Sequence, residues 1–187
     1  MSRLCLLLLL SLPTGAQQSR GVIINHPTLA DHGRVDGRIY SNNSLGLTYE
    51  LPDGFFVNSN ADDSMSGANV LLMVADQHTD RPWKNRLVMV ATDAAQFAWT
   101  TEKFVAEFVT KIPAKLHVVV RRDTYRLEVG GEEFYRVDYQ KTDEGKTLYE
   151  SFICVRQKGF FISWTFVSLS AEEIDQIASS IKTVSFH

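Results

Sequence analysis

Cysteine is scarce in this sequence, and its scarcity excludes a disulfide-stapled fold. The 187 residues contain only Cys5 and Cys154, and we expect Cys5 to be removed with an N-terminal signal. One remaining thiol cannot form an internal disulfide. Cys154 lies in the apolar run 152–155, where a free cysteine usually packs as a small hydrophobe. The alternative is a reactive thiol in an oxidising compartment, which needs a base close in space.

The chain also lacks a basic excess and a long apolar run. Lys and Arg number 19 against 22 Asp and Glu, giving a formal net charge of −3. Arg121-Arg122 is the only basic doublet of the strand region, which is too small for a nucleic-acid footprint. No segment approaches the roughly 20 apolar residues that cross a membrane. With 44% hydrophobic residues the chain can still bury a sizeable core.

The N-terminus has the three parts of a secretory signal. Arg3 precedes an apolar run over 4–12, Pro13 ends the run, and Ala16 supplies a small residue. We predict a signal peptide over 1–16, cleaved after Ala16, and a periplasmic or secreted protein. A buried N-terminal helix is the alternative. Cys5 does not lie at the cut site, so a lipid anchor is not expected.

Motifs for familiar chemistries are missing as well. Ser66 and Ser163 lack a Gly-x-Ser-x-Gly elbow, and Gly130-Gly131 joins two strands without starting a phosphate-binding helix. None of the five histidines has the spacing of a metal helix or a zinc finger. We therefore predict no catalytic, cofactor-binding or metal-binding residue, and no cofactor.

Two segments carry the strongest metal-ligand candidates. Asp76, His78 and Asp80 alternate and would point to one side if the segment is extended. The alternative is a solvated loop with turn-forming aspartates. A weaker group in the N-terminal segment consists of His26, Asp31 and His32.

Acid–base catalysis would need two carboxylates held in a cleft. Four adjacent carboxylate pairs are explained by loops and helix starts: Asp62-Asp63, Glu132-Glu133, Asp143-Glu144 and Glu172-Glu173. Asp138 is more notable, because it interrupts a strand two residues after Arg136 on the same face. A cross-strand ion pair accounts for it.

Regular patterns begin at residue 38, after an irregular leader over 17–37. Residues 45–51 alternate in the period of a half-buried strand, and near-continuous apolar runs predict buried strands. The predicted strands are 38–40, 45–51, 68–75, 86–91, 116–120, 125–129, 134–139, 148–155 and 160–169. One face of 160–169 is apolar and the other is partly apolar, as are both faces of 148–155, which predicts a sheet covered on both sides.

Two helices are predicted. Asp93 and Gln96 form a capping box ahead of an apolar stripe that reaches Ile112, and Pro113 ends the helix. Ser170 and Glu173 cap the second helix, with a stripe from Ile174 to Ile181, and 183–186 adds a short strand. Together these features predict one α+β domain over 38–187.

Several stretches resemble PsbP-like domains. They are the strand and turn at 40–42 and 45–55, the segment 130–138, the hairpin around 158–161, and the helix and tail over 170–186. The resemblance implies an α/β/α sandwich around a central, mainly antiparallel sheet. It also implies binding to a protein partner, as in extrinsic photosystem subunits and Ran-binding Mog proteins. The secretory signal and the absence of Lys-rich character speak against a photosynthetic role.

Two functional hypotheses follow. The preferred one is an exported, non-catalytic binding or assembly module that contacts a protein or small ligand in the cell envelope. The alternative is a periplasmic hydrolase or metal-dependent enzyme whose site assembles from loops, with Asp76, His78 and Asp80 as candidates.

Overall fold

Two antiparallel sheets and two α-helices make up the part of the chain that the computed structural model describes, which is residues 31–57, 69–76, 85–143 and 145–187. The strands are β1 Arg34–Asp36, β2 Ile39–Asn42, β3 Leu47–Glu50, β4 Phe55–Val57, β5 Asn69–Asp76, β6 Asn85–Asp93, β7 Val119–Val129, β8 Glu132–Asp143, β9 Lys146–Gln157, β10 Phe160–Ser168 and β11 Ser185–Phe186. The helices are α1 Thr101–Thr110 and α2 Glu173–Ala178.

The larger sheet has seven strands in the order β4-β5-β6-β10-β9-β8-β7. Strands β7 to β10 form a meander, because tight glycine-containing turns join each to the next. Gly131 lies in the left-handed region with φ 85°, which glycine enters without steric cost. The prediction of two strands at 116–120 and 125–129 is wrong. Register shifts between Val120 and Tyr125 let one strand, β7, continue through the polar residues between them.

The smaller sheet has four strands in the order β1-β2-β3-β11. Its β11 confirms the predicted C-terminal strand, and it pairs with β3 through Ser185 opposite Thr48. Strand β1 lies within the segment predicted to be irregular, and that prediction is wrong for Arg34–Asp36. The side-chain amide of Asn42 donates to the carbonyl of Asp31 at 2.7 Å and thereby ties this segment to β2.

Both faces of the seven-stranded sheet are covered, as the apolar character of the predicted strands indicates. All nine residues of β10 are buried. On one face α1 packs through Phe104, which stacks on Phe161 with ring centroids 4.3 Å apart. On the other face α2 and the four-stranded sheet cover Trp164 and Ile162. The predicted α+β fold with helices on both sides of a central antiparallel sheet is confirmed.

Helix α1 starts later than predicted. Asp93 does accept a hydrogen bond, from the backbone N–H of Ala95 at 2.9 Å, but it caps a short 3-10 turn over Ala94–Gln96. Phe97 then adopts an extended backbone and packs against Trp99 with centroids 5.0 Å apart. Thr100 caps α1 instead, accepting from the N–H of Lys103 at 3.2 Å. The aromatic packing therefore interrupts the predicted helix.

Helix α2 follows its predicted pattern more closely. The hydroxyl of Ser170 accepts from the N–H groups of Glu172 and Glu173, and a 3-10 turn over Ser179–Thr183 extends the helix. The predicted apolar stripe is buried from Ile174 to Ile181. None of the described helices has the length and apolar character needed to span a membrane.

Candidate functional site

A cluster of charged side chains occupies the sheet face beside α2. Arg136 and Asp138 lie two residues apart on β8, so both side chains point to this face, and they are only 7% and 5% exposed. We call Arg122, Arg136, Asp138, Ser151 and Asp175 the charged cluster. Buried charges of this kind need close partners, because their desolvation is costly.

The charged cluster supplies those partners from four elements. Arg136 Nε donates to Asp138 Oδ1 at 2.7 Å, and Arg136 Nη2 donates to Asp175 on α2. Ser151 on β9 donates to Asp138 Oδ1 as well. Asp138 Oδ2 accepts no hydrogen bond within the described residues and lies 3.4 Å from Nη1 of Arg122 on β7. The cluster joins α2 to β7, β8 and β9.

The cross-strand ion pair predicted for Asp138 is present, and Asp138 also pairs with Arg136 along β8. Its cross-strand partners are Arg122 and Ser151. Asp175 was not predicted, and the sequence pattern places it only on the exposed side of α2. Two arginines face two carboxylates, so the arrangement balances its own charge and holds α2 in place.

A second buried polar group lies on the opposite face of the sheet, towards α1. Glu150 accepts a hydrogen bond from the hydroxyl of Tyr139 at 2.5 Å and pairs with Lys141 at 2.6 Å. Burial, followed by the nearby Glu150 carboxylate, raises the pKa of Tyr139 well above its ordinary value. The phenol therefore keeps its proton and donates it to Glu150. No pattern in the sequence indicates this group, because Glu150 lies on β9 and meets Tyr139 and Lys141 of β8 only when the two strands pair.

Asp76, the first of the metal-ligand candidates, lies at the end of β5. Its carboxylate accepts from the backbone N–H of Asn85 at 3.0 Å and from the Asn85 amide at 3.2 Å. The same amide also lies 3.3 Å from Glu173 on α2. His78 and Asp80 lie outside the described residues. Among those described, no group of three or more His, Cys, Asp or Glu side chains could hold a metal ion.

The weaker candidates in the N-terminal segment are described in part. Asp31 accepts from the backbone N–H groups of Gly33 at 2.8 Å and Asn43 at 3.2 Å, and the carbonyl of His32 accepts from the Tyr40 hydroxyl. These bonds shape the turn before β1. His26 lies outside the described residues.

Within the described residues, three members of the adjacent carboxylate pairs have local interactions: Glu133, Glu172 and Glu173. Glu133 pairs with Arg126 at 2.8 Å and accepts from the Tyr135 hydroxyl at 2.8 Å. Glu172 and Glu173 start α2, where negative charge complements the helix dipole. Asp62, Asp63, Glu144 and the side chain of Asp143 lie outside the described part of the chain.

Cys154 is completely buried in the layer between the sheet and α1. Burial raises the pKa of its thiol well above the ordinary value, which disfavours the reactive thiolate. These observations favour the packing interpretation of Cys154.

One of the two edges of the seven-stranded sheet, the one formed by β7, presents a different surface. Strand β7 is the outermost strand at this side, and its start exposes two apolar side chains, Val119 at 53% and Val120 at 44%. Arg121 follows, also exposed, with its guanidinium 5.1 Å from the ring centroid of Tyr149. We call Val119, Val120 and Arg121 the β7 edge.

The architecture, with helices on both sides of a seven-stranded antiparallel sheet, is that of a PsbP-like fold. The cyanobacterial PsbP of Synechocystis sp., CyanoP, matches with a TM-score of 0.59 and 11% identity over 83% of this chain and 98% of its own. The Saccharomyces cerevisiae Ran-binding protein Mog1p matches with a TM-score of 0.46 and 10% identity over 73% of this chain and 79% of its own. Mycobacterium tuberculosis LpqN, involved in cell envelope biogenesis, matches with a TM-score of 0.45 and 10% identity over 73% and 78%.

These likenesses concern architecture, which different functions share. No protein-family model and no curated protein matches the sequence.

Proposed function

We propose that this chain is an exported, non-catalytic binding module that holds a partner protein of the cell envelope at the β7 edge. The observation that carries the proposal is the exposure of Val119 and Val120 beside Arg121. The buried centre of a protein interface is more apolar than the rest of the surface, and arginine is enriched in interfaces.

The position of the β7 edge supports this role. Val119 and Val120 are consecutive in a strand, so they point to opposite faces of the sheet, and both are open. A partner can therefore contact apolar side chains on both faces at this edge of the sheet. The margin belongs to an 11-residue strand that pairs with β8 at both of its ends, with register shifts between Val120 and Tyr125.

The polar interior supports a binding role over catalysis. The charged cluster pairs its arginines with its own carboxylates, and Glu150 is engaged by Tyr139 and Lys141. These groups join secondary-structure elements. The alternative, a metal-dependent enzyme, relies on Asp76, whose carboxylate accepts hydrogen bonds from Asn85. Export is supported by the signal-like residues 1–16.

Site-specific photo-cross-linking in the native host tests the proposal. The change is Val119 or Val120 to p-benzoylphenylalanine, with exposed Lys182 in the 3-10 turn after α2 as the matched control. We expect both β7-edge positions to form the same protein adduct, and Lys182 to form none. The cross-linked chain should be recovered from the envelope fraction with Gln17 as its first residue.

Two results would contradict this proposal. Adducts of equal yield from Lys182 would show that the β7 edge is not a specific surface. Recovery of the chain only from the cytoplasm, with Met1 still as its first residue, would contradict the proposed export.

A further inference from the structure

We infer that the segment of the partner that contacts the β7 edge is acidic and carries apolar side chains. This inference rests on the proposed function and names the chemistry of the partner. Its starting point is the stretch 108–122, which contains Lys111, Lys115, Arg121 and Arg122 and one histidine but no Asp or Glu. The chain as a whole has a net charge of −3, whereas this stretch is positively charged.

In the structure this stretch runs from the end of α1 to the start of the edge strand β7. Lys111 caps the C-terminus of α1, and Lys115 lies in a 3-10 turn over Ala114–Leu116. His117 then takes a left-handed backbone conformation with φ 43°, and β7 begins at Val119. Lys111, Lys115 and His117 are exposed. We call Lys111, Lys115 and Arg121 the basic strip.

The charges of the basic strip are not neutralised within the described structure. Lys111 and Lys115 make no ion pair with any described residue, and Arg121 lies over the ring of Tyr149. Arg122 differs, because Asp138 and Asp175 face its guanidinium. Three cations are therefore available to a partner, beside two exposed valines.

The far end of the β7–β8 hairpin carries the opposite charge. Glu128, Glu132 and Glu133 surround the turn at Gly130, and Arg126 pairs with only one of them. The hairpin is thus positive where β7 begins and negative where it ends. An acidic partner is attracted to the first end and repelled by the second, which fixes where it docks.

The contact is made by side chains, since β7 is poorly suited to adding another strand. Its register shifts between Val120 and Arg122 and again between Arg122 and Tyr125. Such irregularities protect a sheet edge from strand addition. A partner segment therefore places its carboxylates against the basic strip and its apolar side chains against Val119 and Val120.

A protein partner fits these features better than a lipid surface. Each cation near an anionic membrane contributes about fivefold in binding, so three contribute about a hundredfold. A single myristoyl chain, at about 10⁴ M⁻¹, already gives only marginal membrane binding. Val119 and Val120 are small and half-exposed, so their insertion into a bilayer would add little to membrane binding.

The test uses a fluorescent synthetic peptide that alternates Glu and Val, with Gln–Val and Lys–Val peptides of equal length for comparison. Binding is followed by fluorescence anisotropy at low and high NaCl concentration. We expect the Glu–Val peptide alone to bind, and high salt to weaken it about tenfold through screening of the basic strip. Lys111→Glu with Lys115→Glu should weaken binding by about tenfold or more.

The matched control is Arg34→Glu with Lys182→Glu, which makes the same change in net charge at exposed positions elsewhere. We expect the control pair to bind the Glu–Val peptide as the unmodified protein does. Equal weakening by both pairs would overturn the inference, as would equal binding of the Gln–Val peptide. Binding to phosphatidylglycerol vesicles without binding to the Glu–Val peptide would also overturn the inference, because it would show that this surface binds an anionic membrane and not an acidic protein segment.

The two proposals fail in different ways. Persistence of the Val120 cross-link in the Lys111→Glu, Lys115→Glu protein, together with failure of the unmodified protein to bind the Glu–Val peptide, overturns the acidic partner and leaves the binding module standing. Absence of any cross-linked protein from both the Val119 and the Val120 positions, with Lys111 and Lys115 left in place, overturns the binding module itself.

Discussion

Replacing Arg136 by methionine is expected to lower the free energy of unfolding by about 3–5 kcal/mol. The change leaves the carboxylate of Asp138 buried, without its partner at 2.7 Å. The Arg122 guanidinium cannot substitute for it fully, because it is half-exposed and lies 3.4 Å away. Urea unfolding followed by circular dichroism measures the loss.

Two further variants separate a buried charge from a lost contact. Asp175→Asn removes the half-exposed partner of Arg136, and it should cost only about 1 kcal/mol because water screens an exposed pair. Arg136→Met combined with Asp138→Leu removes both buried charges and should recover much of the lost stability. Equal stability of the single Arg136→Met variant and the unmodified protein would contradict the role of the charged cluster.

Replacing Trp164 by alanine is expected to cost about 3–5 kcal/mol. Trp164 is completely buried at the middle of β10, with its ring 6.1 Å from Tyr49 and 5.9 Å from Phe134. Removing it leaves a cavity where the seven-stranded sheet meets the four-stranded sheet. A shift of the thermal or urea midpoint measures the effect.

The indole nitrogen gives this second prediction its control. Trp164 Nε1 is buried and donates no hydrogen bond within the described residues. Trp164→Phe therefore breaks no hydrogen bond and should cost clearly less than Trp164→Ala. Trp99→Ala, at a half-buried position beside Phe97, should also cost less. An equal cost for all three variants would show that Trp164 does not hold the two sheets together.

Local patterns predicted the core of the fold well. Apolar residues on one face of 160–169 and several on the other indicated a strand covered on both faces, and β10 is buried throughout. The stripe from Ile174 to Ile181 indicated the face of α2 that packs on the sheet. These predictions hold because burial of each segment follows from its own side chains.

The errors arose where distant contacts decide the local conformation. The capping signal at Asp93 was present, but packing of Phe97 against Trp99 and Phe161 draws the chain out of the helix. Strand β1 forms because it pairs with β2 and because Asn42 at the end of β2 donates to the carbonyl of Asp31 just before it. The sequence of β1 and its surroundings on its own favours turns.

The candidate site was predictable only in part, for the same reason. Asp138 interrupts an apolar strand on the same face as Arg136, so the sequence indicated an ion pair at Asp138. It did not indicate the contributions of Arg122 and Asp175 around that pair. Val119 and Val120 fell in a predicted apolar strand, which normally indicates burial. They are exposed because the strand order places β7 at the margin, and that order depends on pairing between strands far apart in the chain.

The strand order also has a consequence for how the chain folds. β7 to β10 pair with their neighbours in sequence, whereas β6 reaches β10 only after a long loop has closed. Long-range pairing is slower, so the meander should form first, and pulsed hydrogen exchange should show protection of β9 before β6.

Until β6 docks, β10 is itself an edge strand with apolar side chains on both faces. The pairing that completes the native core therefore also ends the interval in which the newly made chain is most prone to aggregate.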